Sequence, residues 1–317
     1  MSDEGAAILE VGRGAIADRA FRFSALGAGL TVLVVLTMVA VSMTAQAWPA
    51  WSELGTSYFF GTEWIPSQGK YGILPLVYGT MVVSVIALLF AVPISVGIAL
   101  FVTELAPRRL RRPVITVIDI LAAVPSVVFG LWAFYELLPS FQSIFNSIAR
   151  AVSGIPVLST IFGPSTGSSF MSAGLILALM ITPIVTSVTR EVFTTVPVND
   201  KSGALALGAT RWEMIKGVVL PHSSGGLTGA VMLGLGRAMG ETVAVALIIG
   251  AVPRISANLF GVGETMPAQI FRQLSEAGAL LRSALIGLGV VLLVLTVVIN
   301  VAARRMVVVV DRRVKGV

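Results

Sequence analysis

Long apolar runs, separated by short polar and charged stretches, make up most of the sequence. An α-helix needs about 20 apolar residues to cross a bilayer. Six runs reach that length, and they cover about 23–47, 75–102, 114–135, 169–189, 226–250 and 283–303. Pro93, Pro125 and Pro183 lie inside three of them, where membrane helices tolerate proline because neighbouring groups satisfy the freed backbone. The pattern predicts an all-α membrane protein with six transmembrane helices.

The first apolar run could be mistaken for a secretory signal peptide. Ala45-Gln46-Ala47 matches a cleavage-site pattern. The run from Phe23 to Ala47 is, however, longer than the roughly 7–15 residues of a signal core. It also follows an arm of mixed charge, whose acidic residues are Asp3, Glu4, Glu10 and Asp18. We therefore predict a retained first span.

The segment Leu137–Phe162 repeats apolar residues at helical spacing and would make a seventh span. Arg150 and the nearby prolines argue against a crossing, and an odd number of spans would place the two basic termini on opposite sides. We predict instead a helix that lies on the outer membrane surface. A turn over Gly163–Ser169 then leads into the fourth span. In the loop 48–74, the indole rings are expected at the membrane interface; they belong to Trp48, Trp51 and Trp64.

Composition supports the membrane assignment and removes several kinds of chemistry. The 317 residues are 56% hydrophobic and 12% charged, with a mean hydropathy of +0.93, whereas a soluble domain carries about 25% charged residues. The absence of cysteine excludes disulfides and thiolate chemistry. His222 is the only histidine and makes no zinc site by itself. No Gly-x-x-x-x-Gly-Lys-Ser/Thr loop occurs, so we expect this chain to bind no metal and no cofactor.

The distribution of positive charge predicts orientation. Of the Lys and Arg residues, 16 fall in the N-terminal arm, the loops before spans three and five, and the tail, and five fall in the other loops. Cytoplasmic loops are the basic ones, so both termini are predicted to be cytoplasmic, and the net charge of +6 is a topology signal and not a nucleic-acid signal. The predicted divisions are a cytoplasmic arm over 1–22, the first span and outside loop over 23–74, a main transmembrane domain over 75–303 and a basic tail over 304–317.

The fifth predicted span contains Arg237 and Glu241. An arginine at the centre of a membrane helix costs about 2.5–3.5 kcal/mol on insertion scales, so a partner charge or a substrate is expected to compensate. On one continuous helix, residues four apart share a face and can meet. The two charges therefore line a substrate path or neutralise each other for structure, and Asp119 is a further candidate partner for Arg237. Gly236 and Gly240 have the same spacing and could admit a neighbouring helix.

The loop 190–221 is the most informative polar stretch. Its pattern predicts a short helix, a break at Gly208, and an amphipathic segment that ends at Leu220-Pro221. From periodicity alone, this could be a pair of solvated surface helices.

Specific residues in this loop resemble a known motif. Ser202-Gly203-Ala204, Gly208 and Leu220-Pro221 resemble the EAA coupling loop of type I ABC importer permeases, although Ser202 stands where the motif has glutamate. Elsewhere, several runs resemble PstC-type permeases of phosphate importers. They are residues 63–64, 71–75, 101–107, 121–126 and, the most specific, 234–242.

The resemblance implies a type I ABC importer permease fold and a role that is not enzymatic. It implies a PstA-like permease as heterodimer partner, two cytoplasmic ATPase subunits that use the ATP, and an extracytoplasmic phosphate-binding protein. The chain would lie in the cytoplasmic (inner) membrane among lipid, with Arg237 and Glu241 in the phosphate path. Two alternatives stay open at this point. One is a permease for another oxyanion, such as sulfate or molybdate. The other is a secondary transporter or channel with a charge relay, which would have no use for a coupling loop.

Overall fold

The computed structural model describes the backbone of residues 4–315 and the side chains of residues 18–305. Most of this length is helical. In chain order the α-helices are α1 (Glu4–Leu54), α2 (Thr56–Phe60), α3 (Leu74–Leu100), α4 (Arg108–Ala123), α5 (Ser126–Trp132), α6 (Leu138–Val152), α7 (Pro156–Ile161), α8 (Phe170–Thr194), α9 (Val198–Ala206), α10 (Arg211–Met214), α11 (Leu220–Gly240), α12 (Val243–Ile248), α13 (Met266–Gln273) and α14 (Ala279–Lys315). A short antiparallel hairpin pairs β1 (Trp64–Ile65) with β2 (Lys70–Tyr71).

The six predicted crossings are confirmed as a count. Within the described residues, six helical stretches are long and apolar enough to span a membrane. They are Asp18–Leu54, Leu74–Leu105, Ser126–Val152, Phe170–Thr194, Arg211–Gly240 and Ala279–Arg305. Three of them include a π turn, in which each backbone N–H bonds one residue further back than in an α-helix; the π turns cover Phe101–Leu105, Ala133–Leu137 and Ile215–Val219.

The third span differs from its prediction over 114–135. Pro125 has no N–H and disfavours helical geometry at the residue before it, so the chain is extended at Val124 and α4 ends at Ala123. The helix that begins at Ser126 then continues through a π turn and α6 without a break. The candidate span is therefore Ser126–Val152, and the expected boundary before a separate surface helix at 137–162 is wrong.

The far part of this helix nevertheless contacts the loops that join other spans. The ring of Phe145 stacks on that of Phe260, with centroids 4.3 Å apart. Asn146 donates from Nδ2 to the carbonyl of Ser165 at 2.9 Å and accepts the Ser165 N–H at 3.0 Å. These contacts hold α6 against the loop before α8, where the predicted turn over Gly163–Ser169 is present and Ser169 caps the helix.

The centre of the bundle is formed by α3 and α8 packing closely together. Their approach depends on a glycine, because a Cβ atom at Gly174 would lie 2.4 Å from Cγ2 of Ile86. α12 contacts α5 in the same way, since a Cβ atom at Gly130 would lie 2.8 Å from Cα of Ala244. Small residues of this kind are how membrane helices gain van der Waals contact, because lipid supplies no hydrophobic drive between helices.

A second apolar cluster joins the end of α1 to α14 and the hairpin. Tyr58 is fully buried there, and its hydroxyl donates to the Ala284 carbonyl at 2.8 Å. Trp64 is also buried in this cluster, and its Nε1 donates to Gln273 Oε1 at 3.0 Å. Of the tryptophans expected at the membrane interface, Trp64 is thus covered by the protein itself, whereas Trp48 is exposed.

The two ends of the bundle have different characters. We call the end formed by residues 101–112 and 190–221 the basic end, and the end formed by residues 56–73 and 250–278 the opposite end. α3 and α8 both run from the opposite end to the basic end, whereas α11 runs the other way.

Candidate substrate cleft and coupling loop

Arg237 lies in the last turn of α11, where its side chain is exposed to a large cleft. The cleft has a volume of about 1150 Å³ and lies between α8, α11 and α14. Its lining residues are Ile184, Gly225, Thr228, Gly229, Met232, Leu233, Gly236, Arg237, Val297, Asn300, Val301 and Arg304. Among the residues described, the Arg237 guanidinium forms no ion pair. Its donors are therefore available to a ligand in the cleft.

The predicted contact between Arg237 and Glu241 is not formed. α11 ends at Gly240, Glu241 has an extended backbone (φ −67°, ψ 128°), and α12 starts only at Val243. The expected spacing on one face requires a continuous helix, and residues 226–250 do not provide it. Glu241 instead caps the next helix, because its Oε1 accepts the Ala244 N–H at 3.4 Å. The placement of both residues in a substrate path stays a prediction.

Two other expectations about this region are wrong. Asp119 is exposed on α4 and is absent from the cleft lining, so it is no partner of Arg237. Gly236 and Gly240 do not seat a neighbouring helix of this chain, because a Cβ atom at either would meet nothing within 4 Å. Gly234 makes the close approach instead, with a Cβ position 2.6 Å from Cγ2 of Val185.

The structure adds polar residues to the cleft that the sequence pattern did not single out. Asn300 and Arg304 lie one turn apart on α14, and Thr228 faces them from α11. The side-chain oxygen of Asn300 is buried without a hydrogen-bond partner among the described residues, which is a costly state for an amide. The spacing of Asn300 and Arg304 at the end of an apolar run could have identified them as cleft residues. Arg304 is, however, equally well explained as the first residue of a basic tail. Among the described residues, no three His, Asp or Glu side chains cluster as metal ligands would.

The loop 190–221 folds into α9, a turn at Gly208, and α10. Gly208 has φ +86°, a left-handed conformation that glycine adopts without strain. Thr210 follows as the cap of α10: its Oγ1 accepts the Glu213 N–H, and Glu213 Oε2 accepts the Thr210 N–H at 2.7 Å. The predicted short helix and turn are confirmed. Ser202, Gly203 and Leu207 are exposed on this loop, and Ala204 is half-buried.

The predicted helix end at Leu220-Pro221 is wrong. Pro221 lacks an N–H, yet the chain runs from α10 through the π turn Ile215–Val219 into α11 as one helical stretch. A π turn shifts the hydrogen-bond register, which is one way for a helix to accommodate a proline. The loop 190–221 is therefore directly continuous with the helix that carries Arg237.

At the opposite end, the structure places an ion pair that the sequence did not predict. Glu264 is fully buried, and its Oε2 accepts from Nε of Arg272 at 2.9 Å. Its Oε1 accepts the Thr265 N–H at 3.0 Å, and the second arm of Arg272 donates to the Ala246 carbonyl. Burial raises the pKa of Glu264, and the charge of Arg272 partly opposes that rise. The pair fastens α13 to the end of α12.

Comparison with known proteins identifies the family. Residues 91–316 match the family described as binding-protein-dependent transport system inner membrane component. A phosphate transport system permease protein PstC of Mesorhizobium japonicum is 42% identical over 96% of this chain and 94% of its own length. The PstC protein of Xylella fastidiosa strain 9a5c is 44% identical over 93% of this chain and 91% of its own.

Solved structures agree on the fold. The methionine ABC transporter MetNI, in an inward-facing conformation, matches with a TM-score of 0.54 at 19% identity and covers 75% of this chain and 94% of the matched chain. A bacterial ABC transporter involved in alginate import matches with a TM-score of 0.53 at 17% identity, covering 83% and 88%. The predicted type I ABC importer permease fold is confirmed. The chain belongs to the family of binding-protein-dependent transport system inner membrane components and, within it, to the PstC group of permeases.

Proposed function

We propose that this chain is the permease subunit of an ATP-driven importer and forms part of the path for inorganic phosphate across the cytoplasmic membrane. The observation that carries the proposal is the 42–44% identity to phosphate permeases over more than nine-tenths of the chain. The cleft supplies a chemical reason. An unpaired arginine at a cleft wall suits an oxyanion, because the planar guanidinium presents several N–H donors in a fixed fork.

The cleft is arranged as a polar track between two arginines. Asn300 offers an uncharged amide between Arg237 and Arg304, and Thr228 lines the same wall with its hydroxyl donated to the Ser224 carbonyl at 2.9 Å. From Gly225 to Arg237, α11 rises about 18 Å at 1.5 Å per residue. A phosphate could thus exchange its water shell for protein groups in steps. Glu241 forms no ion pair with Arg237, which leaves the guanidinium free to bind the anion.

The remaining parts of the importer follow from what this chain exposes. The cleft is partly open to the outside of this chain, and we propose that a PstA-like permease completes it. Each permease would present one coupling loop to one of two ATPase subunits. On this chain the loop carries exposed apolar side chains, namely Val198, Leu207 and Trp212, which suit a groove in a partner. ATP would be bound by the ATPase alone, and a phosphate-binding protein would deliver the substrate, so this chain acts as a permease and not as an enzyme.

The turn at Gly208 gives a test of the dock. A β-branched residue in the left-handed region costs about 1–2 kcal/mol, so Gly208→Val is expected to distort the turn between α9 and α10. We expect ATPase association and phosphate uptake to fall about 5- to 30-fold, measured by co-purification and by uptake into vesicles. The matched control is Gly69→Val, because Gly69 is also left-handed (φ +69°) with nothing within 4 Å of its Cβ position but lies at the opposite end, away from the loop. Equal behaviour of the two variants would contradict this role of the turn.

Phosphate uptake tests the proposal as a whole. The chain, its second permease, the ATPase and the binding protein are reconstituted in vesicles with ATP on the ATPase side. We expect uptake of radiolabelled phosphate that requires ATP and that excess unlabelled phosphate suppresses, whereas excess sulfate or molybdate leaves it intact. Suppression by sulfate or molybdate alone would assign the cleft to another oxyanion, and uptake driven by an ion gradient without ATP would overturn the importer.

The same vesicles test the proposed orientation, in which both termini and the basic end face the cytoplasm. The chain has no native cysteine, so single cysteines can be introduced at two exposed positions, Ser67 at the opposite end and Ser202 at the basic end. In right-side-out vesicles, an impermeant maleimide is expected to label Ser67→Cys and not Ser202→Cys. The reverse pattern would contradict the orientation.

A further inference from the structure

The coupling loop is attached to the first core helix by an ion pair at the basic end. Nζ of Lys201, on α9, lies 2.6 Å from Oε1 of Glu104, which belongs to the π turn at the end of α3. Only 18% of the lysine side chain and 10% of the glutamate side chain are exposed. A charge pair this sheltered from solvent is stronger and less screened than a surface pair.

The groups around the pair hold each partner in place. Lys201 Nζ also donates to the Phe193 carbonyl at 3.4 Å, at the end of α8. On the other side, Arg111 donates from Nε to the Ala106 carbonyl and from Nη2 to the Thr103 carbonyl, both at 3.0 Å. Arg111 therefore fixes the π turn that presents Glu104. An apolar cluster next to the pair packs the loop against the same helices, and its buried members are Ala99, Phe193, Val196, Met214, Ile215 and Val219.

The side chains of α9 and of the residue after it point in two directions, some outward and one into the chain. Val198 is 76% exposed and Leu207 is 91% exposed, so these side chains are available to a protein outside this chain. Lys201, between them in sequence, is turned into the chain and reaches α3. Lys201 thus joins α9 directly to Glu104 by a short, charged contact, and α3 is the helix that packs along α8 through the centre of the bundle.

We propose that Glu104 and Lys201 are positioning residues that couple movement of the docking helix to movement of α3. The proposal rests on the proposed function, because it needs an ATPase on the coupling loop. With the ion pair removed, α9 can still dock by its exposed apolar side chains, but its displacement reaches α3 only through the apolar cluster. ATP is then hydrolysed without a matching number of phosphate ions crossing.

The test measures ATP hydrolysed per phosphate imported, in the reconstituted importer with its second permease, ATPase and binding protein. Glu104→Gln and Lys201→Met are each expected to raise this ratio about 5-fold or more, which corresponds to the lower end of typical coupling energies. Lys201→Arg, which keeps the charge, is expected to stay closer to wild type. The reversed pair, E104K with K201E, is expected to recover most of the wild-type ratio, whereas each reversal alone is expected to be as poor as the neutral variants.

The ion pair of Lys70 and Glu63 supplies the matched control. It has the same 2.6 Å separation but lies at the opposite end, and its side chains are 52% and 56% exposed. Lys70→Met is expected to leave the ratio unchanged. A wild-type ratio in Glu104→Gln and Lys201→Met would overturn the proposal, as would loss of ATPase co-purification in both, since the pair would then serve docking itself. A wild-type importer that moves no phosphate would overturn the proposed function, and with it this inference.

Discussion

Arg237→Gln is expected to reach its usual abundance in the membrane and to abolish phosphate uptake. The side chain is exposed to the cleft and forms no ion pair with the described residues, so its removal leaves no buried carboxylate unpaired. Arg237→Lys keeps the charge but replaces the rigid fork with a compact point charge. We expect it to lower uptake about 10- to 100-fold, the loss that corresponds to one charge-assisted hydrogen bond.

Abundance is measured by immunoblotting of membranes, and uptake in the presence of the ATPase. Arg282→Gln is the matched control, because Arg282 is an exposed arginine near the start of α14 and is absent from the cleft lining. Glu241→Gln retains an oxygen that can accept the Ala244 N–H, so it is expected to keep the start of α12 and to act more mildly than Arg237→Gln. Recovery of uptake in the double variant Arg237→Gln with Glu241→Gln would show that the two charges only balance each other, and the transport role of Arg237 would fall.

The number of spans could be predicted from sequence because the apolar length of a run does not depend on how it packs. The points at which the helices break could not be predicted. Pro125 and Pro183 both lie inside predicted spans, yet the helix breaks before Pro125 and continues through Pro183. The difference is tertiary: Pro183 is buried at the centre of the bundle, whereas α4 has no buried residue to hold it in line with α5.

Only part of the candidate site could be predicted, because the rest depends on tertiary contacts. An arginine inside an apolar run is visible in any sequence, and Arg237 indeed lines a cleft of about 1150 Å³. Its supposed contact with Glu241 assumed an unbroken helix, and α11 ends between them. Contacts between residues far apart in the sequence leave no local pattern in it. Glu104 and Lys201 are 97 residues apart, so nothing in the spacing of either one indicates the other.

Removal of Arg272 is expected to destabilise the opposite end in a pH-dependent manner. Glu264 is fully buried, and its pKa is raised by desolvation and lowered by Arg272. A carboxyl whose pKa is raised in the folded state favours folding most at pH values below its unfolded pKa of about 4.3, and that contribution is lost as pH rises through the folded pKa. In Arg272→Gln the folded pKa of Glu264 rises further above its unfolded pKa. The variant therefore loses more folding free energy than the wild type as the pH rises.

We therefore expect Arg272→Gln to lower the thermal unfolding midpoint more at pH 8 than at pH 5, measured on detergent-purified protein by tryptophan fluorescence. At pH 8 the loss is expected to be about 3 kcal/mol, the lower end of the range for breaking a buried pair, because 31% of the Arg272 side chain is exposed. Adding Glu264→Gln removes the buried charge and is expected to restore part of the midpoint at pH 8 and to abolish the pH dependence. Arg254→Gln is the control, because Arg254 donates to the Val262 carbonyl in the same loop but forms no ion pair with the described residues. A loss of equal size at both pH values would mean that Arg272 stabilises the loop through its hydrogen bond to the Ala246 carbonyl and not through the charge of Glu264.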